Sequence, residues 1–240
     1  MWGRGGNAAA AARHPRDALA IDPSGTPRYA PTMDLDYLLS AAVTLFIVVD
    51  PLGLAPAFLA LTDGLPAEAR RRVGGRATLI AVLVLMGAAL VGDWLLRHLG
   101  ISLPAFRIAG GLLLFATAAE MVLGVRIERQ SRTAEVALEE RVRHIAAFPL
   151  AIPLMAGPGA LTAVILLGGE AAGRPARIAV LLAVIAATCA LCLAVFAFAS
   201  RIARSLGITG NVVLSRLLGV LLAALAVQYV IDGVRAVLTP

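Results

Sequence analysis

Lysine is absent from this sequence of 240 residues: all 21 basic positions are arginine, a pattern of genomic composition rather than of site chemistry. Charge as a whole is scarce, at 15% of residues, where soluble domains carry about a quarter. Aromatics are fewer still, at 5%, which disfavours a pocket for large flat drugs. The basic balance, with a pI near 10.5, does not signal nucleic acid, because the arginines cluster between apolar runs instead of forming a stripe interleaved with aromatics. The two cysteines, Cys189 and Cys192, form a C-x-x-C inside an apolar run. With no second pair and no histidine nearby they read as small apolar residues of a helix. The three histidines (His14, His98 and His144) do not cluster. No Ser-His-Asp set, phosphate-binding glycine loop or zinc site is visible, so neither an enzyme activity nor a cofactor or metal is expected.

Apolar length is what the sequence has. Hydrophobic residues make up 60% of it and its mean hydropathy is +0.87. About 20 apolar residues cross a bilayer core as a helix, and six such spans are expected, at residues 37–61, 77–96, 105–125, 145–169, 178–200 and 212–234. The organisation that follows is a disordered tail over 1–32, a first three-helix unit over 33–125, a polar connector over 126–143, and a second unit over 144–240. The tail is rich in Ala, Arg, Gly and Pro and has neither helical nor strand periodicity. A chain starting at Met33 is therefore expected to insert and work without it.

Arginines orient the spans. The segments after spans one, three and five hold Arg70, Arg71, Arg72, Arg76, Arg126, Arg129, Arg132, Arg141, Arg143, Arg201 and Arg204. Those after spans two and four hold Arg97, Arg174 and Arg177. Eleven against three places the first set in the cytoplasm, so both termini are expected in the periplasm and the protein in the bacterial inner membrane.

Spans one and four contain residues that break helices. Span one has Asp50 and Pro51, with Gly53 and Pro56 close behind; span four has Gly157, Pro158 and Gly159. A broken membrane helix frees N–H and C=O groups that lipid cannot satisfy. The restart at Gly157–Gly159 points a positive dipole end inward, suited to a carboxylate. Asp50 is the one carboxylate well inside a span, and burying it is costly. It implies an aqueous cavity, a cation or a proton, or a cap on the half-helix that starts at Pro51, and these roles are compatible. Thr62 and Thr162 are candidate hydrogen-bond donors near the breaks. Glu120, Asp93 and Asp232, near span ends, read as structural.

A repeat runs through the chain. FRIAGGLLLFATAAEMVLG, from Phe106, and SRLLGVLLAALAVQYVIDG, from Ser215, align at constant offset. Arg107 meets Arg216, Gly110 meets Gly219 and Gly124 meets Gly233. Asp50-Pro51 corresponds to Gly157-Pro158, so the broken span is the first of each unit. Three spans per unit is an odd number, which turns the second unit upside down. The expected fold class is all-α: a polytopic membrane protein of six transmembrane helices, as two inverted three-helix repeats with broken first helices. Such repeats place a transporter's binding site at the breaks.

Four strings carry a family likeness: VDPLGLAPAFLALT (49–62), GISLPAFRIAGGLLLF (100–115), FPLAIPLMAGPGALT (148–162) and SRLLGVLLAALAVQYVIDGV (215–234). They resemble, in order, the hallmark segments of the MarC family of bacterial and archaeal membrane proteins. The resemblance implies six helices and transport of small neutral amino acids, with H+ or Na+ as a possible coupling ion and the lipid bilayer as surroundings. It also implies that Asp50 stands where family members carry Asp or Asn. The site residues expected are Asp50, Pro51, Gly53, Pro56, Thr62, Gly157, Pro158, Gly159 and Thr162. An exporter or channel for another small solute, and a membrane protein without transport, stay open as alternatives.

Overall fold

The computed structural model describes residues 20–21, 27–28, 31–126 and 146–238. The tail expected over 1–32 and the connector over 126–143 lie almost wholly outside the described residues. Within the tail, Ala20–Ile21 (β1) pairs antiparallel with Pro27–Arg28 (β2). Everything else described is helical or a short turn: α1 Pro31–Val49, α2 Leu54–Leu61, α3 Ala67–His98, α4 Leu103–Leu123, α5 Ala146–Met155, α6 Pro158–Ala171, α7 Pro175–Ala197 and α8 Ala199–Leu238.

Four of these are long and apolar enough to cross a membrane: α3, α4, α7 and the Thr209–Leu238 part of α8. Two bent pairs pass the same test together. Leu35–Val49 and Leu54–Leu61 meet at 43°, and Pro149–Met155 and Pro158–Ala171 meet at 59°. Counting each pair as one broken span gives six. Both breaks fall where the prolines of spans one and four placed them.

Helix ends differ from the sequence expectation where polar residues continue a helix beyond the apolar run. Span two begins ten residues early, at Ala67, because Ala, Glu and Arg are good helix formers and Glu68 pairs with Arg72 one turn on. The segment before span six, expected as a loop, is helical from Ala199, interrupted at Gly207 with φ 61°. The first half of span four is wound as a π-helix. Pro149 and Pro153 remove N–H groups from the ordinary ladder, and the wider i→i+5 pairing survives, as in the 2.8 Å bond from Ala156 N–H to the Ala151 carbonyl.

Small residues set the helix spacing. A methyl group on Gly111 of α4 would lie 2.7 Å from the Ala226 carbonyl oxygen of α8, and one on Gly168 of α6 would lie 2.5 Å from that of Ala89 in α3. Helices in lipid gain little from hydrophobic burial against one another, so close backbone approach supplies the packing. Facing outward, Leu79, Leu83 and Leu90 of α3 and Leu217, Val220 and Leu221 of α8 are exposed, as a lipid-facing surface requires. Between α4 and α6 the half-buried pair Arg107–Glu170 closes at 3.0 Å. The carboxylates near span ends have local partners: Asp93 pairs with Arg97 and Asp232 accepts from Gln228 at 2.9 Å.

Candidate functional site

The first break starts with an aspartate before a proline. A residue preceding proline is pushed out of the α region, and Asp is among the few residues that tolerate left-handed backbone. Asp50 takes φ 53°. Its own N–H still reaches the Phe46 carbonyl at 3.0 Å, but Pro51 has no N–H and the ladder stops. The Asp50 carboxylate then folds forward, and Oδ1 accepts the Gly53 N–H at 3.0 Å. The next helical bond runs from Leu54 N–H to the Asp50 carbonyl at 3.2 Å. Asp50 thus caps the half-helix, with its side chain buried. Gly53 has to be glycine, since a methyl there would lie 2.2 Å from Asp50 Oδ2.

The same turn releases the last carbonyls of α1, among them that of Val48. Arg126 takes it: Nη2 donates to the Val48 oxygen at 2.9 Å. Its route there is set by Gly124, which ends α4 in left-handed backbone at φ 82° and turns the following residues back toward the bundle. Arg126 is buried, 7% exposed, and its charge also acts on the Asp50 carboxylate. The sequence counted it among the cytoplasmic loop arginines. Its side chain instead turns into the bundle.

The second break is built differently. Gly157 is extended at φ −77°, ψ 173°, and Pro158 opens α6 at a position where its missing N–H costs nothing. Leu161 N–H bonds the Gly157 carbonyl at 2.9 Å, which leaves Gly159 and Ala160 as the first N–H donors of the helix. Gly157, at the N-cap, has no side chain to offer them, and no hydrogen bond from them to a side chain is seen among the described residues. They lie on a cavity of about 280 Å³ whose lining includes Val48, Thr117, Arg126, Pro153, Gly157 and Pro158. A methyl on Gly159 would come 3.2 Å from Val48 Cγ1 and 3.3 Å from Thr117 Oγ1, so glycine keeps this wall open. The cavity therefore offers a guanidinium, a hydroxyl and two backbone N–H groups on otherwise apolar walls.

Of the nine residues expected at the site, Gly157, Pro158 and Gly159 line this cavity. Pro51, Gly53 and Pro56 shape the first break without reaching it. Thr62 does not serve the breaks: it ends α2 and its hydroxyl donates to the Phe58 carbonyl at 2.7 Å. Thr162 packs its methyl against Gly110 of α4 and likewise stays off the cavity. Asp50 sits beside it, linked through Arg126 and Val48, but not on its wall. Sequence reasoning missed the rest of the lining, above all its polar side chains, Thr117 and Arg126. Nothing in the sequence separates Arg126 from the other arginines that follow span three.

Comparison with known proteins decides the family. The profile described as MarC family integral membrane protein matches residues 35–238. The chain belongs to the MarC family. Among relatives of this MarC protein, a UPF0056 membrane protein of Methanocaldococcus jannaschii is 35% identical over 206 residues, covering 86% of this chain and all of the relative. One from Archaeoglobus fulgidus is 38% identical over 200 residues, covering 83% and 92%. The UPF0056 membrane protein YhcE of Escherichia coli K12 is 33% identical over 198 residues, covering 81% and 90%. No solved structure matches. The MarC protein is thus an integral, multi-pass membrane protein, and the tail before residue 35 lies outside the family match.

Proposed function

We propose that this MarC protein is a secondary transporter of small neutral amino acids, whose carboxylate is held at the start of α6. The observation that carries this reading is the cavity at the second break, lined by the uncapped Gly159 and Ala160 and by the buried Arg126. Backbone irregular at membrane depth is tolerated where it faces protein or a water-filled cavity, and broken helices of this kind hold substrates in other transporter folds.

Contacts between α4 and α8 support inverted halves. Gly124, at the end of α4, lies with its would-be methyl 3.7 Å from Arg216 Nη2, and Gly233, near the end of α8, lies 3.2 Å from Arg107 Cβ. The repeat pairs Arg107 with Arg216 and Gly124 with Gly233, so each contact is the other's image. In this reading the protein lies in the bacterial inner membrane with both termini periplasmic, and H+ or Na+ drives transport. Uptake of labelled alanine, glycine and serine into proteoliposomes tests the activity. Gradient-driven accumulation is expected, and its absence for all three removes neutral amino acids. An alkaline phosphatase fusion after Pro240 is expected to be active; an inactive one reverses the topology.

A further inference from the structure

We infer that Arg126 is the residue by which the cavity selects its solute, and that the selected class is the small monocarboxylate, with an amino group tolerated but not required. This rests on the reading that the cavity is the solute site. Among the described residues that line it, Arg126 is the charged one, and the polar partners beside it are the Thr117 hydroxyl and the N–H groups of Gly159 and Ala160. The guanidinium and the two N–H groups can donate, whereas the Thr117 hydroxyl gives its hydrogen to the Leu113 carbonyl at 3.0 Å and meets a solute as an acceptor. A guanidinium presents its N–H groups in a planar fork that matches a carboxylate, and such charge-assisted bonds are about twice as strong as neutral ones.

A zwitterionic amino acid needs a second feature, an anion or a set of carbonyls for its ammonium. Asp50 was the sequence's candidate. Its carboxylate accepts the Gly53 N–H and stands off the cavity wall. The anion-binding half of an amino acid site is thus on the wall; a carboxylate for the other half is not among its described residues, and the Pro153 carbonyl, 2.6 Å from a methyl placed on Gly157, is a neutral acceptor that tolerates an ammonium without requiring one. The volume of about 280 Å³ has room for a solute of this class. Arg126 also grips Val48, which lines the same cavity, so the guanidinium that meets the solute is held in place by the first break.

The test is equilibrium binding to the purified full-length protein in nanodiscs, by calorimetry, with three probes of similar size: propionate, L-alanine and ethylamine. Propionate and alanine are expected to bind within about tenfold of each other, and ethylamine to bind at least roughly tenfold more weakly than either. In Arg126→Gln both carboxylates should weaken by roughly tenfold to a hundredfold, with partial recovery in Arg126→Lys, which keeps the charge but loses the fork. Alanine binding without propionate binding overturns the inference, as does ethylamine binding equal to alanine or an unchanged affinity in Arg126→Gln. The unmutated protein's response to the three probes decides the solute class even where Arg126→Gln fails to insert. Carboxylate binding that depends on Arg126, with no uptake in proteoliposomes, would remove transport and leave this site standing. Uptake of alanine with equal apparent affinity in Arg126→Gln would do the reverse.

Discussion

The two breaks of this MarC protein interrupt spans one and four, yet they resolve their freed backbone in opposite ways. At the first, the chain satisfies itself: Asp50 accepts the Gly53 N–H and Arg126 donates to the Val48 carbonyl. At the second, the helix restarts on Gly157-Pro158 with no capping side chain among the described residues, and the Gly159 and Ala160 end lies on a cavity. An unsatisfied buried amide costs on the order of 1–3 kcal/mol, so the second break calls for water or a solute where side chains of the protein serve the first. In the proposed reading the first is a joint and the second a receptor. Charge follows the same division, with a carboxylate closing the joint and a guanidinium shared between joint and receptor.

The largest expected effect comes from filling the receptor. Gly159→Leu puts a branched side chain against Val48, Thr117 and Leu114, already 3.2 to 3.6 Å from a mere methyl. It should abolish uptake in proteoliposomes and cost about 1–3 kcal/mol by overpacking. Size-exclusion profiles separate the two effects, and normal uptake by a well-folded variant would break the distinction between joint and receptor.

Next comes the joint itself. Asp50→Ala removes the cap of a half-helix and the acceptor of the Gly53 N–H, so stability should fall by about 1–2 kcal/mol. Asp50→Asn keeps an acceptor for the Gly53 N–H and should cost less than about 1 kcal/mol. Thermal unfolding in detergent compares the two. If Asn proves as harmful as Ala, charge rather than capping holds the joint. Uptake by Asp50→Asn sharpens this further: loss of dependence on a pH gradient with exchange retained assigns proton coupling to Asp50.

A smaller effect is expected remote from both breaks. Arg107 and Glu170 tie α4 to α6 at 3.0 Å while half-buried. A double-mutant cycle with Arg107→Ala and Glu170→Ala should give a coupling of about 1 kcal/mol, with binding at the cavity unchanged. The smallest belongs to Thr62. Its hydroxyl bonds its own helix, so Thr62→Val should change stability by about 1 kcal/mol or less and leave uptake intact. A loss of uptake there would draw the end of α2 into the transport path.

Local signals carried the sequence reading a long way. Apolar length set the spans because a bilayer core sets how much helix must be apolar. The breaks were legible because proline removes a donor whatever surrounds it, and Asp50 could be assigned as a cap because its partner, Gly53, is three residues on. The π-winding of α5 was not legible, since Pro149 and Pro153 forbid an ordinary ladder without dictating what replaces it.

What the sequence alone determined, then, is everything a residue settles with its near neighbours: spans, breaks and the cap. Only the tertiary structure decided which break opens on a cavity and which charged side chain lines it. Thr62 and Thr162 looked available, but their surroundings use them otherwise. Arg126 looked like one more loop arginine, yet it reaches a carbonyl 78 residues away. That bond needs the left-handed Gly124 to turn the chain and the left-handed Asp50 to free the Val48 oxygen. Neither condition is visible from Arg126 itself, because a long-range hydrogen bond depends on two distant backbones meeting, and only packing brings them together.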